Sequence, residues 1–397
     1  MNKIPAFFVF SGSRIYQSVL KKHFANVIAL EQPSHYTLAK GFEKGVVFYE
    51  YVGYNISGLE TLNEILQTNL NNSDLFLIID DSYEGLATSE ELLKLKELIE
   101  KNKERISDWL FISSNGGLKQ IIFDVFGTYE NYLYFNVHLQ LDQYDNIDTE
   151  KLDHNLNTKL RTKKFLCVNR QERLHRLKTI DFLIEKDIIK HSYVSCVLGE
   201  YKNVLDGDCG LNEFVPGYYD LGLYEAFYTA ETKQRLLNNL PLTLDVPESK
   251  YKAIKANMPN LKDYFDESYF SIITEGDFST DEGKRQFTEK VLKCFAYHHP
   301  FVVIGLPGTL QLLKQEGFLT FSQVIDESYD REENDDRRIK SALAEVEKLN
   351  NLNINELKKV YDKLIPVLEH NYYLYRKKLE TPEPAYLVNR ILEWYYR

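Results

Sequence analysis

The 397-residue sequence predicts an α/β fold with two units, each built on a parallel β-sheet, followed by a helical tail. Three observations predict this class. Short apolar runs alternate with amphipathic, helix-like segments. The runs near 74–81 and 301–304 are apolar almost throughout, as strands covered on both faces are. The polar segment 142–157 separates two such series, and the length suits two or three domains of about 150 residues each.

The first unit, residues 1–155, has five predicted strands, with helical segments between several of them. A helix start is expected at Ser89, where acidic residues fill the first turn. The unit is Rossmann-like, but no Gly-x-Gly-x-x-Gly pattern follows the first strand, which argues against an ordinary dinucleotide site. The predicted strands lie at 6–10, 27–30, 46–51, 74–81 and 109–113.

The second unit, residues 156–375, repeats the alternation around a less regular insertion at 199–265. Its predicted strands lie at 165–168, 193–198, 269–274 and 301–304. From residue 330 the chain is charged and helical, with apolar residues at roughly helical spacing. Such a stripe packs on its own domain or forms a dimer contact, and packing on its own domain is the commoner outcome. The stripe comprises Leu343, Val346, Leu349, Leu357, Leu364 and Leu368.

Composition excludes several classes of protein. With 48 Lys and Arg against 59 Asp and Glu, the net charge of −11 argues against a general nucleic-acid binder, although it permits a local basic site. No apolar run approaches the roughly 18 residues of a membrane span. The four cysteines show no Cys-x-x-Cys spacing, which favours reduced thiols and a cytoplasmic protein. The 28 Tyr and 23 Phe suit core packing and stacking on ring-shaped ligands.

A basic segment at 159–178 contains eight Lys or Arg residues in an otherwise acidic chain. Asn169 and Arg170 stand at the end of a predicted strand, and Arg173 and Arg176 follow in the next helix. Amide donors, guanidinium groups and a helix N-terminus together can hold a diphosphate. The alternative is a solvated basic helix face.

A second segment, 271–293, places Glu275 after a buried-looking strand and Thr288, Glu289 and Lys290 at the start of a helix. A glutamate there can accept sugar or ribose hydroxyls, while the lysine can balance phosphate charge. The alternative is an ordinary helix cap, since threonine and glutamate also favour a helix start.

Three further features favour structural roles. The Gly-Leu-Pro-Gly turn at 305–308 permits close approach of a ligand, but it also simply joins a strand to a helix. His298 and His299 suit buried hydrogen-bonded positions better than metal ligation. Asp206-Gly-Asp208 resembles a metal-binding Asp-x-Asp, yet it lies in the insertion without a second ligand group, which favours a turn.

The ordered set of motifs resembles a GT-B-type glycosyltransferase and is similar to the α1,3-fucosyltransferase superfamily with its viral and bacterial relatives. The motifs are FLCVNRxxRxHR, SIITE, FTEKVLKCFAYHHPFVVIGLPGTLQLLKQEGFLTF and IDESYD, within residues 163–331. In that superfamily a YxTEK-like segment follows a strand ending in Glu, and both contact the sugar nucleotide. Here Phe287 and the TEGD sequence at 274–277 depart from the family pattern, which leaves the donor sugar open.

The resemblance implies two Rossmann-like domains facing a cleft, with a last helix, 376–397, that returns to the N-terminal domain. It implies that Lys290 pairs with donor phosphates, that Glu289 binds a ribose or sugar hydroxyl, and that Thr288 and Glu275 lie beside the donor. The other phosphate contacts would come from Asn169, Arg170, Arg173 or Arg176. No metal or cofactor is required, because Lys and Arg can stabilise the leaving diphosphate.

The expected reaction is transfer of a sugar from a nucleoside diphosphate sugar to a hydroxyl of a glycan or another acceptor, with inversion. Inversion needs a general base near that hydroxyl. The candidates are Asp80, Asp81 and Glu84, at the end of the predicted strand 74–81, with Glu50 behind them. Each is also compatible with being a plain surface acid.

Two alternatives stay open. One is a glycosyltransferase that acts on modified bases of phage DNA, served by the basic segment but opposed by the net charge. The other is a nucleotide-sugar-binding scaffold without catalysis. The sequence does not decide the sugar, the nucleotide, the acceptor or the oligomeric state.

Overall fold

The computed structural model describes residues 4–9, 24–29, 44–50, 56–68, 74–82, 85, 87–136, 139, 159–169, 173–196, 229–240, 242, 244, 261–279, 283–380 and 385–397. Residues 1–141, 280–286 and 377–397 group into one compact unit, unit 1, and residues 142–279 and 287–376 into another, unit 2. Both are mixed α/β structures, and each contains one parallel sheet. Within the described ranges, no helix is long and apolar enough to span a membrane.

The sheet of unit 1 has six described parallel strands: β1 (Ile4–Val9), β2 (Phe24–Ala29), β3 (Lys44–Glu50), β4 (Asp74–Asp81), β5 (Ile106–Ser113) and β6 (Tyr132–Tyr134). They are ordered β2-β1-β3-β4-β5-β6. Helices α1 (Ile56–Thr68), α2 (Ser89–Lys101) and α3 (Leu118–Phe126) follow β3, β4 and β5. The five predicted strands are confirmed, while the short β6 was not predicted. Thr88, rather than Ser89, caps α2, through a reciprocal hydrogen-bond pair with Glu91.

The sheet of unit 2 has four described parallel strands: β7 (Lys163–Asn169), β8 (Ser192–Cys196), β9 (Ser268–Thr274) and β10 (Phe301–Ile304). They are ordered β10-β9-β7-β8. The described helices of this part of the chain are α4 (Leu174–Glu185), α5 (Ala230–Asn239), α6 (Leu261–Glu267), α7 (Glu289–Ala296), α8 (Thr309–Gln315), α9 (Asp335–Asn350) and α10 (Ile354–Glu380). All four strands predicted for this unit are confirmed.

Alternate residues of β4 enter two hydrophobic cores, one on each face of the sheet, because strand side chains point to opposite faces in turn. Leu77 and Ile79 pack with residues of α2 and α3. Phe76 and Ile78 pack with residues of the last helix, α11 (Ala385–Tyr396). Both faces of β4 are therefore covered, which explains its nearly continuous apolar sequence.

Helix α11 is fixed to the sheet of unit 1 by packing and by polar contacts. The ring of Trp394 lies 5.4 Å from the ring of Phe76, and its Nε1–H donates to the Ser107 hydroxyl at 2.8 Å. Arg390 forms an ion pair with Asp108 at 2.8 Å. The C-terminal helix thus forms part of the core of unit 1.

The apolar stripe of α9 and α10 is buried within the single chain. Its members are between 0% and 6% exposed: Leu343, Val346, Leu349, Leu357, Leu364 and Leu368. Because these side chains are already covered, the stripe is core and offers no apolar face to a second copy.

The strand order places a topological switch point between β7 and β9. From β7 the chain passes to β8 on one side, and it later returns to β9 on the other side of β7. Ligands of open α/β sheets bind outside the carboxyl ends of strands at such a point. The end of β7 is Asn169 and the end of β9 is Thr274, so these positions mark where a ligand site of unit 2 is expected.

Candidate functional site

The ends of β7 and β9 are joined directly by their last side chains. The Thr274 hydroxyl donates to Oδ1 of Asn169, and Nδ2 of Asn169 donates to Sγ of Cys167 at 3.4 Å. Asn169 and Thr274 are 2% and 3% exposed. Asn169, which was predicted as a phosphate contact, therefore uses both ends of its amide within the sheet.

Glu275, the residue after β9, is buried beneath the start of α7. One carboxylate oxygen accepts the Thr288 backbone N–H at 2.9 Å, and the other accepts the Thr288 hydroxyl. Glu275 is 2% exposed. A Cβ added at Gly305 would lie 3.2 Å from Cβ of Glu275. Gly305, the first residue of the Gly-Leu-Pro-Gly turn, thus leaves room for this glutamate.

Lys290 extends from the first turn of α7 toward a set of oxygen atoms. Its Nζ lies 3.1 Å from the Thr288 hydroxyl, 3.0 Å from Oε1 of Glu289 and 3.7 Å from Oε2 of Glu275. Thr288 is the N-cap of the helix. The sequence left a helix cap and a charged site as alternatives. In the structure both occur together: Thr288 caps α7, and Lys290 lies among charged groups.

Arg173 and Arg176 approach the same strand end from α4. Arg173 donates to the Gly276 carbonyl and lies 3.4 Å from Oδ1 of Asp277. Arg176 donates to the Glu275 carbonyl at 3.2 Å. Burial, together with the positive charge of Arg173, lowers the pKa of Arg176 to about 10. Even so, Arg176 stays cationic at neutral pH.

His175 lies between these arginines and is held neutral. Its Nε2–H donates to the Glu275 carbonyl at 2.9 Å. Burial lowers the pKa of His175 well below its usual value, and the charges of Arg176, Arg173 and Lys290 lower it further. His175 and Arg176 donate to the same Glu275 carbonyl, and Lys290 lies 3.7 Å from the Glu275 carboxylate, so these side chains meet around one residue.

An aromatic contact supports the loop that follows Glu275. The ring of Phe278 stacks on His175 at 5.1 Å, and the guanidinium of Arg338 lies 4.5 Å from the Phe278 ring centre. Arg338 is 2% exposed, and its Nε donates to the Gly305 carbonyl at 3.0 Å. Phe278 and Arg338 were not predicted as site residues, because neither lies in a recognisable motif and they meet only in the folded chain.

The basic segment divides between the site and the rest of unit 2. Arg161 is 3% exposed and donates to the Tyr361 hydroxyl at 2.7 Å and to the carbonyl of Ser268 at the start of β9, away from the carboxyl ends of the strands. Lys163 donates to the Lys190 carbonyl at 3.1 Å, and Lys178 pairs with Asp336 at 2.7 Å. The segment is therefore neither wholly a ligand patch nor wholly a solvated face.

The predicted acids of unit 1 lie at the carboxyl end of β4 and are covered. Oδ1 of Asp80 accepts the backbone N–H of Ser82 at 3.1 Å and also its hydroxyl. Oδ2 of Asp81 accepts the Ser113 hydroxyl at 2.7 Å. Asp80 and Asp81 are 2% and 1% exposed, so almost none of either side chain is open to an acceptor in this conformation.

A polar cluster beside these acids was not predicted as functional. Oδ1 of Asn115 accepts the backbone N–H groups of Gly117 at 2.9 Å and Arg285 at 3.0 Å. Gly116 donates to the Arg285 carbonyl at 2.8 Å, and Gln286 donates to the Ser114 hydroxyl at 2.8 Å. Residues 283–286 are thus bound to the loop after β5. The only sequence feature that indicated this cluster was the Asn-Gly-Gly turn at the end of β5.

The Gly-Leu-Pro-Gly turn leads into a helix start that is already occupied. The carboxylate of Asp330 accepts the backbone N–H groups of Leu310 at 2.8 Å and Gln311 at 3.0 Å. His299 is fully buried, with Nδ1 2.8 Å from the Ser271 hydroxyl and Nε2 2.7 Å from the Ser268 carbonyl. The 305–308 turn and His299 therefore have the structural roles that the sequence favours for them.

Two predicted site residues, Glu84 and Arg170, lie outside the described part of the chain, as does Asp206-Gly-Asp208, for which a turn is the favoured prediction. The described residues contain no group of three or more His, Cys, Asp or Glu side chains arranged to hold a metal ion. A groove of about 530 Å³ lies beside α8, lined by Lys314 and Arg331 among others, and shares no residue with the cluster around Glu275.

The cluster around Glu275 brings three cationic side chains and three carboxylates together at the end of β9. Arg173, Arg176 and Lys290 supply nitrogen donors, while Glu275, Asp277 and Glu289 supply counter-charge. Guanidinium and ammonium groups are the usual phosphate donors of proteins.

No protein-family model matches this sequence, and a search of curated proteins finds no match.

Proposed function

We propose that the chain is a glycosyltransferase that moves a sugar from a nucleoside diphosphate sugar to an acceptor hydroxyl. The observation that carries the proposal is the gathering of Arg173, Arg176 and Lys290 around Glu275 at the switch point of unit 2. Strand order favours a ligand at this position, and guanidinium and ammonium groups are donors suited to phosphate.

In the proposed reaction these cations stabilise the diphosphate as it leaves the sugar. Negative charge develops on the leaving oxygen in the transition state, and donors already held in place stabilise it without reorganisation. Arg176 is the most deeply held of the three, with 5% exposure and a contact to the Glu275 carbonyl. Lys290, whose side chain is 28% exposed, is the most exposed of the three and reaches the phosphate by leaving its carboxylate partners. The proposal needs no metal or other cofactor.

The finer fold assignment is part of the same proposal. A GT-B enzyme has one parallel α/β domain for the acceptor and one for the nucleotide sugar, and its last helix returns to the first domain. The two parallel sheets and the packing of α11 on the sheet of unit 1 are compatible with it. We assign the donor to unit 2 and the acceptor to unit 1 on this basis.

For the acceptor side, the proposal retains a general base at the carboxyl end of β4. Inversion requires a base within hydrogen-bond reach of the attacking hydroxyl. Asp80 and Asp81 must gain exposure to serve, since Ser82 and Ser113 now occupy their oxygens. Full turnover in both Asp80→Asn and Asp81→Asn would remove these two residues as candidates.

Their burial favours a second candidate function, a protein that binds nucleotide sugars without transferring them. Both readings share the donor site and differ only in the presence of a base. Hydrolysis of the donor in the absence of acceptor, at a rate above that of the free nucleotide sugar, would support the enzyme over the binding protein.

The decisive first experiment is a thermal-shift panel of UDP-, GDP-, TDP- and CMP-sugars. A ligand at 100 times its dissociation constant stabilises the folded state by about 2.7 kcal/mol, which is readily seen as a raised midpoint. We expect a response to at least one nucleoside diphosphate sugar. A full set of unchanged midpoints would contradict both the enzyme and the binding protein.

A further inference from the structure

Lys290 is held by two carboxylates of very different surroundings. Its Nζ lies 3.0 Å from Oε1 of Glu289 and 3.7 Å from Oε2 of Glu275. The Glu289 side chain is 27% exposed, so water screens its charge. The Glu275 side chain is 3% exposed, so its charge acts through a medium of lower dielectric.

From this geometry we infer that Glu275 is a positioning residue whose charge restrains Lys290 when no diphosphate is bound and opposes the binding of diphosphate. When a diphosphate binds, Lys290 passes from Glu275 to a phosphate oxygen, and when it leaves, Lys290 returns. The carboxylate thus favours release of the nucleoside diphosphate product. This inference rests on the proposed function, because it assigns the ligand of Lys290 to a phosphate.

The same carboxylate also holds the start of α7, and the two roles can be separated by one substitution. In Glu275→Gln the amide oxygen can still accept the Thr288 N–H, now 2.9 Å from Oε1. The amide NH₂ can donate to the Thr288 hydroxyl in place of the bond that Oε2 now accepts. The helix start is therefore retained while the charge is removed.

The test is isothermal titration of the full chain with pyrophosphate and with UDP, GDP and TDP. We expect Glu275→Gln to bind pyrophosphate about tenfold more tightly than the wild type, because one opposing buried charge within several ångströms has gone. The gain should shrink as salt is added. A residue with a merely structural role would weaken binding when replaced, so the direction of the change is diagnostic.

Glu327→Gln is the matched control. Glu327 is also a mostly buried glutamate, with a side chain 9% exposed, that accepts backbone and hydroxyl hydrogen bonds and pairs with a lysine, Lys314, at 3.0 Å. It does not belong to the cluster around Glu275, so its replacement should leave the pyrophosphate affinity unchanged.

A Lys290→Gln background shows whether the effect passes through Lys290. There we expect Glu275→Gln to tighten binding by only about twofold, since the restrained cation is absent and only the long-range part of the charge remains. A tenfold gain that persists in this background would overturn the inference.

The remaining outcomes separate this inference from the proposed function. If the wild type binds pyrophosphate or a nucleoside diphosphate but Glu275→Gln binds it equally or more weakly, the role of Glu275 is wrong and the proposed function stands. A Glu275→Gln chain without a cooperative thermal transition also contradicts the inference, because the amide would then have failed to replace the carboxylate at Thr288. A wild type that binds none of these ligands overturns both.

Discussion

The Glu275 carboxylate accepts two hydrogen bonds from Thr288, one from the Thr288 backbone N–H at 2.9 Å and one from the Thr288 hydroxyl. The two residues are 13 positions apart, yet this contact joins the end of β9 to the first turn of α7. A helix N-terminus needs acceptors for its first N–H groups, and the N-cap side chain supplies only some of them. The Glu275 carboxylate thus completes the N-cap of α7 and fixes the position of the helical turn that carries Lys290.

Lys290→Ala is expected to impair the proposed reaction strongly while leaving the fold intact. The ammonium group is 28% exposed and would act mainly on the charge that develops on the leaving diphosphate. Removing such a group lowers turnover by roughly 10²–10³-fold. Steady-state rates with the donor identified by thermal shift measure the effect.

Lys293→Ala is the control for that experiment. Lys293 lies in the same helix, in its last turn, and carries the same charge. Its replacement should change turnover by less than about threefold, since it lies beyond the first turn where Lys290 meets Glu275. Equal rates in Lys290→Ala and wild type would show that Lys290 has no part in catalysis.

Asn115→Ala is expected to loosen residues 283–286. The side chain accepts N–H groups from both Gly117 and Arg285, and alanine accepts neither. Losing an acceptor for a buried N–H costs about 1–3 kcal/mol. Proteases cut segments that open locally, so trypsin should cleave after Lys284 and Arg285 about tenfold faster. Mass spectrometry of the fragments gives the rate.

Asn102→Ala tests whether the increase is specific. Asn102 is another buried asparagine of unit 1, 4% exposed, and its amide donates to the Leu98 carbonyl at 2.8 Å at the end of α2. Its loss should leave cleavage at Lys284 and Arg285 at the wild-type rate. Equal acceleration in both variants would indicate general unfolding of unit 1 rather than release of this segment.

The strands could be predicted because their signal is local. The apolar runs within β4 and β10 are buried on both faces, and their short length is typical of strands. The cations of the site could also be predicted, since Arg173, Arg176 and Lys290 follow strands whose carboxyl ends must meet at one edge of the sheet.

The partners of those cations could not be predicted, because they depend on distances across the fold. The sequence does not indicate that Glu275 accepts hydrogen bonds from Thr288 or that the Glu275 side chain packs against Gly305. Nor does it indicate that Arg338 stacks on Phe278. Asp80 and Asp81 are residues whose exposure could not be predicted from the sequence. Acids at the end of a strand are expected to be accessible, but Ser82 and Ser113 donate hydrogen bonds to these two carboxylates in the folded chain and help to cover them.

Trp394→Ala is expected to destabilise unit 1 by about 3–5 kcal/mol, the usual cost of removing a large buried aromatic side chain. Trp394 is 6% exposed and packs in the same core as Phe76 and Ile112. Tyr396→Ala is the control, since Tyr396 is 58% exposed in the same helix and should cost less than about 0.5 kcal/mol. Urea unfolding followed by tyrosine and far-ultraviolet signals measures both. Similar midpoints would mean that α11 contributes little to the core.

Stability should fall as the pH is lowered through about 6.5, in part because of His175 and His299. Burial lowers the pKa of both imidazoles well below its usual value. In the unfolded chain they take up protons near pH 6.5. Below that pH the unfolded chain binds more protons than the folded one, and each histidine then removes up to about 1.4 kcal/mol of stability per pH unit.

His175→Gln isolates one of these contributions. A glutamine amide can replace the donor to the Glu275 carbonyl, now at 2.9 Å, but it takes up no proton. The free energy of unfolding should therefore fall less steeply in the variant, by about 1.4 kcal/mol per pH unit between pH 6 and pH 5. His191→Gln, at an exposed position, should follow the wild-type curve. If urea titrations of wild type and His175→Gln run parallel over this range, His175 is not held neutral in the folded chain, and the lowered pKa assigned to it is wrong.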